Sequence, residues 1–374
     1  MGRLRWRRRW TVLAVAALIV ATSACEGSSV GPAATESTLS GTSDTQPPVS
    51  STTSSAVGST STSTAGPRVD VQLVEEALEI LETHALVRDE IDWQELRAAT
   101  IAALDSESSD ADIYAAIANA VGAVSQRDSH SFFSPATTSS SADGDSQPVI
   151  QDPIVELREN IGYIKLAGFQ GTDRLTIDRY AAGLREEIQR LDDAGVCGWV
   201  VDLWGHTGGN MWPAVGGLAP ILGDDVVGYF IGPDGSLTPW IIGDDAVYTN
   251  ETPVVSLDAN FDVTSSESPV GVVIGPETRS AGEAVALAFR GRPDTQLFGQ
   301  FTSGSTSAVQ VYELSDGSIL GVATAFMADR NQDAPGLFNP IPPDTIVPDL
   351  FDPAPAINEA SVWVQQQPKC TEAK

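Results

Sequence analysis

The sequence predicts an α/β core preceded by a small bundle of helices. Between residues 69 and 125, apolar side chains recur at helical spacing in three successive segments. Beyond residue 160, short apolar runs typical of buried strands alternate with helical segments. Because strands that alternate with helices pair in parallel, this larger part of the chain is predicted to form an α/β domain around a parallel sheet.

The composition excludes several classes of function. The chain of 374 residues carries 50 acidic side chains against 21 basic ones, a formal net charge of -29. Nucleic-acid binding depends on neutralising phosphates with basic side chains, so no nucleic-acid partner is expected. The three His and three Cys residues are too widely spaced to form a zinc motif. We therefore predict no metal site and no cofactor.

The N-terminus has the features of an export signal. Residues 3–9 are rich in arginine, and residues 11–24 form an apolar run of signal-peptide length that is too short to span a bilayer comfortably. The run ends in small residues before Cys25, which resembles a bacterial lipoprotein box except that Thr22 stands where leucine is usual. We predict that Cys25 is lipidated and holds the protein on the outer face of the bacterial cytoplasmic membrane.

Two alternatives to lipidation stay open. If Cys25 is incidental, the segment is either the cleaved signal peptide of a secreted protein or an uncleaved anchor. The arginine-rich start also leaves the twin-arginine export route open. In each case the folded part is expected outside the cytoplasmic membrane, where Cys197 and Cys370 can pair in a disulfide and pin the C-terminal tail.

The chain divides into five predicted segments. Residues 26–67 consist almost wholly of small and polar residues with too few large apolar side chains to build a core, so they are predicted to be a disordered spacer. The segments are a lipoprotein-type signal peptide at 1–25, the Ser/Thr-rich linker at 26–67, a helical bundle at 68–134, the α/β core at 148–352 and a C-terminal tail at 353–374.

The bundle ends in a polar turn around His130. Apolar residues at helical spacing within 71–81, a second segment from Asp92 and a third at 113–124 predict its three helices. After the third helix the chain reads Ser129-His130-Ser131 and continues with two aromatic residues. This turn is either a solvated connection or a loop that delivers a general base.

Two turns in the core join a strand to a helix, and both are suited to holding negative charge. The first, residues 205–210, is neither a dinucleotide fingerprint nor a P-loop, but Gly208 and Gly209 allow close approach of a ligand to free backbone N–H groups. Alternatively, these glycines only satisfy a turn that needs positive φ.

The second turn precedes a predicted helix at residues 281–289 and follows an apolar run at 271–274. It places Ser280 at the helix N-terminus, where free N–H groups and the helix dipole favour negative charge. Such a serine can act as a nucleophile with an adjacent oxyanion site, and the alternative is a helix N-cap.

Several motifs stand in a defined order along the chain. They are Asp-Ser-His-Ser-Phe at 128–132, Gly-Tyr-Ile-Lys-Leu at 162–166, Val-Asp-Leu at 201–203 followed by Gly-Gly at 208–209, the serine segment at 275–283, Phe-Gly-Gln-Phe-Thr-Ser-Gly at 298–304 and Pro-Asp at 343–344. Together they resemble the C-terminal processing (tail-specific) and tricorn-core-like serine peptidases, over about residues 69–350.

The resemblance implies a ClpP/crotonase-like spiral of strands and helices. It also implies that Ser280 is the nucleophile and that the substrate is a peptide or protein. The backbone N–H of Ala281, with that of Gly208 or Gly209, would then form the oxyanion hole.

The sequence departs from the tail-specific peptidases in its base. Those enzymes use a Ser–Lys dyad, yet this chain has no lysine between Lys165 and Lys369. The tricorn-like variant, in which histidine is the base and a serine and an acid assist, fits better and assigns the base to His130. The assisting residues would then be Ser129 and an acid, with Asp329 or Asp333 as candidates. His206, in the glycine-rich turn, is a competing base.

A PDZ-type domain has no room in this chain, because only about thirty residues separate His130 from the first core strand at Ile161. We therefore expect an exported serine endopeptidase without that means of capturing substrates. The alternatives are a non-catalytic peptide- or ligand-binding module on the same fold and an exported acyl esterase. A crotonase-type thioester enzyme is disfavoured, because the acidic chain would repel the phosphates of coenzyme A.

Overall fold

A computed structural model describes residues 69–105, 107–136, 150–257 and 264–372. The predicted signal peptide, the lipidation site Cys25 and the predicted linker lie outside these ranges. Across the part of the chain that the structure describes, none of the helices combines the length and apolar character needed to cross a bilayer.

Three helices form the N-terminal bundle: α1 (Val69–His84), α2 (Trp93–Ala102) and α3 (Asp110–Asp128). The side chain of Asp92 accepts the N–H of Glu95 and caps α2, while Ser109 and Asp112 cap α3 reciprocally. Ser109 is therefore the N-cap residue of α3. These caps start each helix where its apolar stripe begins, so that the three stripes meet in one core.

A mostly parallel sheet forms the centre of the protein. Its strands, in spatial order, are β13 (Thr345–Ile346), β10 (Thr295–Gly299), β9 (Val270–Ile274), β4 (Trp199–Asp202), β3 (Ile161–Lys165) and β2 (Ile154–Arg158). All neighbours pair in parallel except β2, which is antiparallel to β3. The buried apolar runs of β9 and β4 occupy its middle, as expected for strands covered on both faces.

A second, antiparallel sheet lies between the bundle and the core helices. Its strands are β1 (Phe132–Ser134), β5 (Asp225–Ile231), β6 (Leu237–Ile242), β7 (Ala246–Thr249), β8 (Thr252–Ser256), β11 (Ser307–Glu313) and β12 (Ile319–Ala328). The sequence pattern did not predict the meander from β5 to β8. Leu314, directly after β11, packs into the bundle core together with Leu320 and Val322 of β12.

The remaining helices cover the parallel sheet on both faces. They are α4 (Arg174–Asp193), α5 (Trp212–Gly217), α6 (Ala219–Leu222), α7 (Ala281–Phe289), α8 (Ala354–Gln365) and α9 (Pro368–Glu372). Alternate residues of β4 and β9 pack in two clusters, one with α4, α5 and α7 and the other with α8. The prediction of an α/β core preceded by a helical bundle is confirmed.

The segment predicted to be a C-terminal tail contains α8 and α9. Cys370 in α9 forms a disulfide with Cys197, which precedes β4. The bond joins residues 173 positions apart and holds the last helix against the start of a central strand.

Candidate active site

Ser280 lies in the sharp turn between β9 and α7. The hydroxyl of Thr278 donates to the carbonyl of Leu203 at 2.8 Å and accepts the N–H of Gly275 at 2.9 Å, which fixes this turn against the end of β4. The helix that follows is buried at each of its nine residues. Its small side chains allow this, and they bring the N-terminal end of the helix into the interior.

Ser280 has a strained backbone conformation and a buried hydroxyl without a hydrogen-bond partner among the described residues. Its φ of 53° and ψ of -112° form a conformation that costs a residue with a side chain about 1–3 kcal/mol. Ser280 is only 2% exposed, yet its Oγ makes no hydrogen bond with any described residue. A buried polar group without a partner costs roughly 1–3 kcal/mol. Strain together with an unpaired hydroxyl indicates a position shaped for chemistry rather than stability.

The buried carboxylate of Glu283 holds the turn in place. It accepts the N–H of Ser280 at 2.9 Å, which is a feature of an N-terminal capping arrangement. It also accepts four hydrogen bonds from the loop at residues 302–305. The donors are the hydroxyls of Thr302 and Ser303 and the N–H groups of Gly304 and Ser305. Burial raises the pKa of Glu283, and these hydrogen bonds oppose the rise.

The glycine-rich turn brings its backbone next to Ser280. A Cβ added at Gly208 would lie 3.2 Å from the Cβ of Ser280 and 3.7 Å from its Oγ, so the two residues are in direct proximity. At Gly209 an added Cβ would lie 2.0 Å from the carbonyl oxygen of Phe169. Both glycines have positive φ, 114° and 108°. The backbone conformation disfavours a side chain at both positions, and at Gly209 the carbonyl of Phe169 also leaves no space for one.

Three backbone N–H groups near Ser280 have no acceptor among the described residues: those of Gly208, Gly209 and Ala281. For Ala281 this follows from its place as the first residue of α7. The carbonyl of Gly208 accepts a hydrogen bond from the N–H of Phe169. Because the C=O and N–H groups of a trans peptide point in opposite directions, the N–H of Gly209 points away from Phe169. Free N–H groups and the positive end of the α7 dipole are the kinds of group that can stabilise an oxyanion.

His130 stands in a turn organised by Asp128. The buried Asp128 carboxylate accepts the N–H groups of His130 and Ser131, each at 2.9 Å, and the hydroxyl of Ser131. That hydroxyl in turn accepts the N–H of Ala323 on β12, which ties the turn to the antiparallel sheet. The end of α3 is therefore a rigid support for the imidazole.

The hydrogen bond of Nδ1 fixes the tautomer of His130. Nδ1 lies 2.9 Å from the carbonyl oxygen of Ser307 at the start of β11. Because a carbonyl only accepts, Nδ1 carries the proton and Nε2 is free to take another. Desolvation lowers the pKa of His130, the Ser307 hydrogen bond and Asp128 raise it, and the positive charge of Arg279 lowers it. Ser280 Oγ is not hydrogen-bonded to His130 in this structure.

His206 also lies near the turn, but in a closed environment. It is fully buried, and neither ring nitrogen has a hydrogen-bond partner among the described residues. Burial lowers its pKa to about 4. Its Nδ1 would be 3.0 Å from a Cβ added at Gly282, so the ring packs against the first turn of α7.

The two assisting residues named from the sequence have other contacts. Ser129 adopts left-handed geometry, with φ 60°, and ends α3 through its N–H bond to Ser125. Asp329 is buried at the far end of α7, 3.7 Å from Arg290, and accepts the N–H groups of Asn331 and Asp333. None of these contacts joins Asp329 to Ser280 or to His130.

The structure brings in residues to which the sequence assigned no role. Asp128 was part of the motif around His130, and Glu283 followed the serine at the third position, so both could have been identified from the sequence. Ser307 had no local signal, because it lies 177 residues from His130. Lys165 is exposed at the end of β3 and Lys369 donates to Ser268, so neither lysine is engaged with Ser280.

Comparison with known proteins agrees with the resemblance inferred from the motifs. The family model described as Peptidase family S41 matches residues 160–347. The nisin-resistance protein of Lactococcus lactis subsp. lactis is 30% identical over 226 residues, which cover 58% of this chain and 64% of that protein. Carboxyl-terminal-processing peptidase 2 of Arabidopsis thaliana, a chloroplast protein, is 28% identical over 165 residues, which cover 44% of this chain and 28% of that one.

Solved structures show the same fold. A lipoprotein from Streptococcus agalactiae superposes with a TM-score of 0.65 at 22% identity, covering 80% of this chain and 98% of that one. The photosystem II D1 C-terminal processing protease superposes with a TM-score of 0.54 at 17% identity and covers 79% and 98%. The resemblance to the tail-specific peptidases and the predicted fold class are both confirmed.

Replacing Glu283 with Gln is expected to destabilise the protein. In either orientation, the amide nitrogen of Gln would face N–H or hydroxyl donors that the carboxylate now accepts. We expect the free energy of unfolding to fall by about 1–3 kcal/mol, measured by urea denaturation. The control is Glu277→Gln, an exposed residue of the same turn, which should stay within about 0.5 kcal/mol of the wild type. Equal stabilities of the two variants would contradict the role given to Glu283.

Proposed function

This chain belongs to peptidase family S41, and we propose that it is an exported serine endopeptidase that hydrolyses peptide bonds through an acyl-enzyme on Ser280. The observation that carries this proposal is the buried, unpaired hydroxyl of Ser280 beside N–H groups that have no acceptor. A hydroxyl in that position is available to attack a carbonyl carbon, and the N–H groups are available to the oxygen of that carbonyl.

In the first step, Ser280 Oγ attacks the carbonyl carbon of the scissile peptide and its proton passes to Nε2 of His130. The carbonyl oxygen becomes an oxyanion, which accepts hydrogen bonds from the N–H of Ala281 and from that of Gly208 or Gly209. Removing one such donor typically costs about 10²–10³ in rate, so this hole supplies a large share of the catalysis.

In the second step, His130 gives its proton to the amide nitrogen, the C–N bond breaks and the amine leaves. The acyl group is then an ester of Ser280. A water molecule attacks this ester while His130 accepts its proton, and return of the proton to Oγ releases the carboxylate product. His130 acts as a base and then as an acid in each half-reaction.

His130 is preferred over His206 as the base for two reasons. Its Nε2 is free to accept a proton because Nδ1 donates to Ser307, and its surroundings include Asp128, which favours the protonated state formed during the reaction. His206 is fully buried without a hydrogen-bond partner among the described residues, so a protonated ring there would be costly. Catalytic hydrogen bonds are often long before substrate binds, so we propose that His130 and Ser280 approach each other in the substrate complex.

We further propose that the protein acts outside the cytoplasmic membrane, anchored through a lipid on Cys25. Three observations support this location: the export features of residues 1–25, the disulfide between Cys197 and Cys370 and the fold shared with a protein described as a lipoprotein. Disulfides persist mainly in oxidising compartments.

Labelling with a fluorophosphonate probe tests the nucleophile. Wild-type protein is expected to be labelled once, and Ser280→Ala is expected to lose the label because the reactive oxygen is gone. His130→Gln should lower kcat on peptides by about 10²–10⁴-fold, since the base is removed. His84→Gln, at an exposed histidine of α1, is the matched control and should keep full activity.

A folded wild-type protein that takes up no probe would contradict the peptidase mechanism and favour a binding module. Labelling with hydrolysis of esters but not of peptides would instead favour the acyl esterase.

The pH dependence of kcat/KM tests the base. The neutral form of His130 is the active one, and its pKa lies below the ordinary 6.5 because of desolvation. We therefore expect kcat/KM to rise with pH along a limb centred below 6.5 and to be flat at neutral pH. A limb centred near the pKa of lysine, above about 9, would contradict a histidine base.

A further inference from the structure

An exposed cation stands directly before the nucleophile. The side chain of Arg279 is exposed and has no hydrogen bond or ion pair with any described residue. Arg290, at the other end of the same helix, lies beside Asp329 and Asp333. A cation at a helix N-terminus is opposed by the helix dipole, so Arg279 gains no stabilisation from the dipole of α7. An exposed cation next to Ser280 that makes no contact with another described side chain is available to contact a substrate.

The backbone of Arg279 is held rigidly beside the site. Its N–H donates to the carbonyl of His206 at 3.0 Å, and its carbonyl accepts the N–H of Gly282 at 2.9 Å. That carbonyl would also lie 3.5 Å from a Cβ added at Gly208. The backbone of Arg279 is therefore fixed between the nucleophile turn and the glycine-rich turn, and its flexible side chain is free to reach a ligand.

The charge of Arg279 acts on His130. After desolvation, which lowers the pKa of His130 most, Arg279 is the other group that lowers it, so the guanidinium lies within electrostatic range of the imidazole. In the proposed mechanism His130 protonates the leaving amine. A group near His130 therefore lies near the segment of the substrate that departs.

We propose that Arg279 binds a carboxylate of the peptide substrate on the leaving-group side of the scissile bond. The carboxylate is either the C-terminal one or that of an acidic side chain. This inference rests on the proposed function and specifies its substrate class. Guanidinium is the side-chain group whose planar donors match a carboxylate with two parallel hydrogen bonds.

The overall charge of the protein makes this contact selective. With a net charge of -29, the protein repels anionic peptides at long range. Arg279 supplies a local positive charge, so a carboxylate of the peptide is attracted most strongly at this place. Binding there holds the peptide in one orientation. Binding also neutralises the charge that lowers the pKa of His130, which makes the imidazole a stronger base once the substrate is in place.

The test uses quenched-fluorescence peptide pools of random sequence, since no particular sequence is implied. One pair of pools differs only in a free or amidated C-terminus. A second pair contains Asp and Glu, or Asn and Gln in their place. For Arg279→Gln we expect kcat/KM on the anionic pools to fall about tenfold, mainly through KM, with no change on pools that lack both kinds of carboxylate. Arg279→Lys should recover part of the loss, because lysine keeps the positive charge but lacks the two parallel donors of the guanidinium.

The matched control is Arg179→Gln, which removes another exposed and unpaired arginine from α4. It should leave the preference for anionic pools unchanged. For Arg279→Gln, a loss confined to the pool with a free C-terminus identifies the C-terminal carboxylate as the ligand, and a loss confined to the Asp/Glu pool identifies an acidic side chain.

Failure of this inference is distinguishable from failure of the proposed function. If the fluorophosphonate probe labels wild type and Arg279→Gln alike, but both cleave anionic and neutral pools with the same ratio, the role of Arg279 is wrong and the peptidase mechanism stands. An equal loss on all pools would also overturn it, because that result indicates a structural role. If the wild type is neither labelled nor active on any pool, both proposals are wrong.

Discussion

The geometry of the site depends on one buried carboxylate. Glu283 accepts five hydrogen bonds, one from the nucleophile turn and four from the loop at residues 302–305. The strained conformation of Ser280 persists because this carboxylate and the packing of α7 determine it from two sides. The same loop leads after two residues to Ser307, the acceptor for His130. A single side chain thus connects the segment that carries the nucleophile with the strand that orients the base.

The helical bundle has a larger part in this arrangement than its composition suggested. It delivers His130 through a turn that Asp128 organises, and Ser131 attaches that turn to β12. The proposed base and the proposed nucleophile therefore come from different layers of the protein. The tail-specific peptidases that the chain resembles use a lysine as the base. In this chain the loop at residues 302–305 donates hydroxyl and N–H groups to Glu283, and in the proposed mechanism His130 takes the role of that lysine.

The elements closest to Ser280 were predictable from the sequence, because their signals are local. The apolar run of β9, the helix at 281–289 and the glycine pair at 208–209 each follow from backbone preferences and spacing. The partners of Glu283 and His130 could not be predicted. Glu283 contacts residues 19 to 22 positions away, and His130 contacts a residue 177 positions away, so neither contact leaves a local signal. The meander from β5 to β8 was also missed. Its strands are only partly buried, so their apolar pattern is weak. His206 could not be judged from the sequence either. Its residue type suggested a base, and only the structure shows that it is fully buried, where a protonated imidazole is unfavourable.

A crystal structure of the fluorophosphonate adduct would test the roles assigned to Ser280, His130 and the free N–H groups, because the phosphonyl group mimics the tetrahedral intermediate. We expect a covalent bond to Ser280 Oγ. We also expect the phosphonyl oxygen to lie about 2.7–3.1 Å from the N–H of Ala281 and from that of Gly208 or Gly209, with His130 as the nearest imidazole. A phosphonyl oxygen turned away from these N–H groups, or His206 in the place of His130, would contradict these roles.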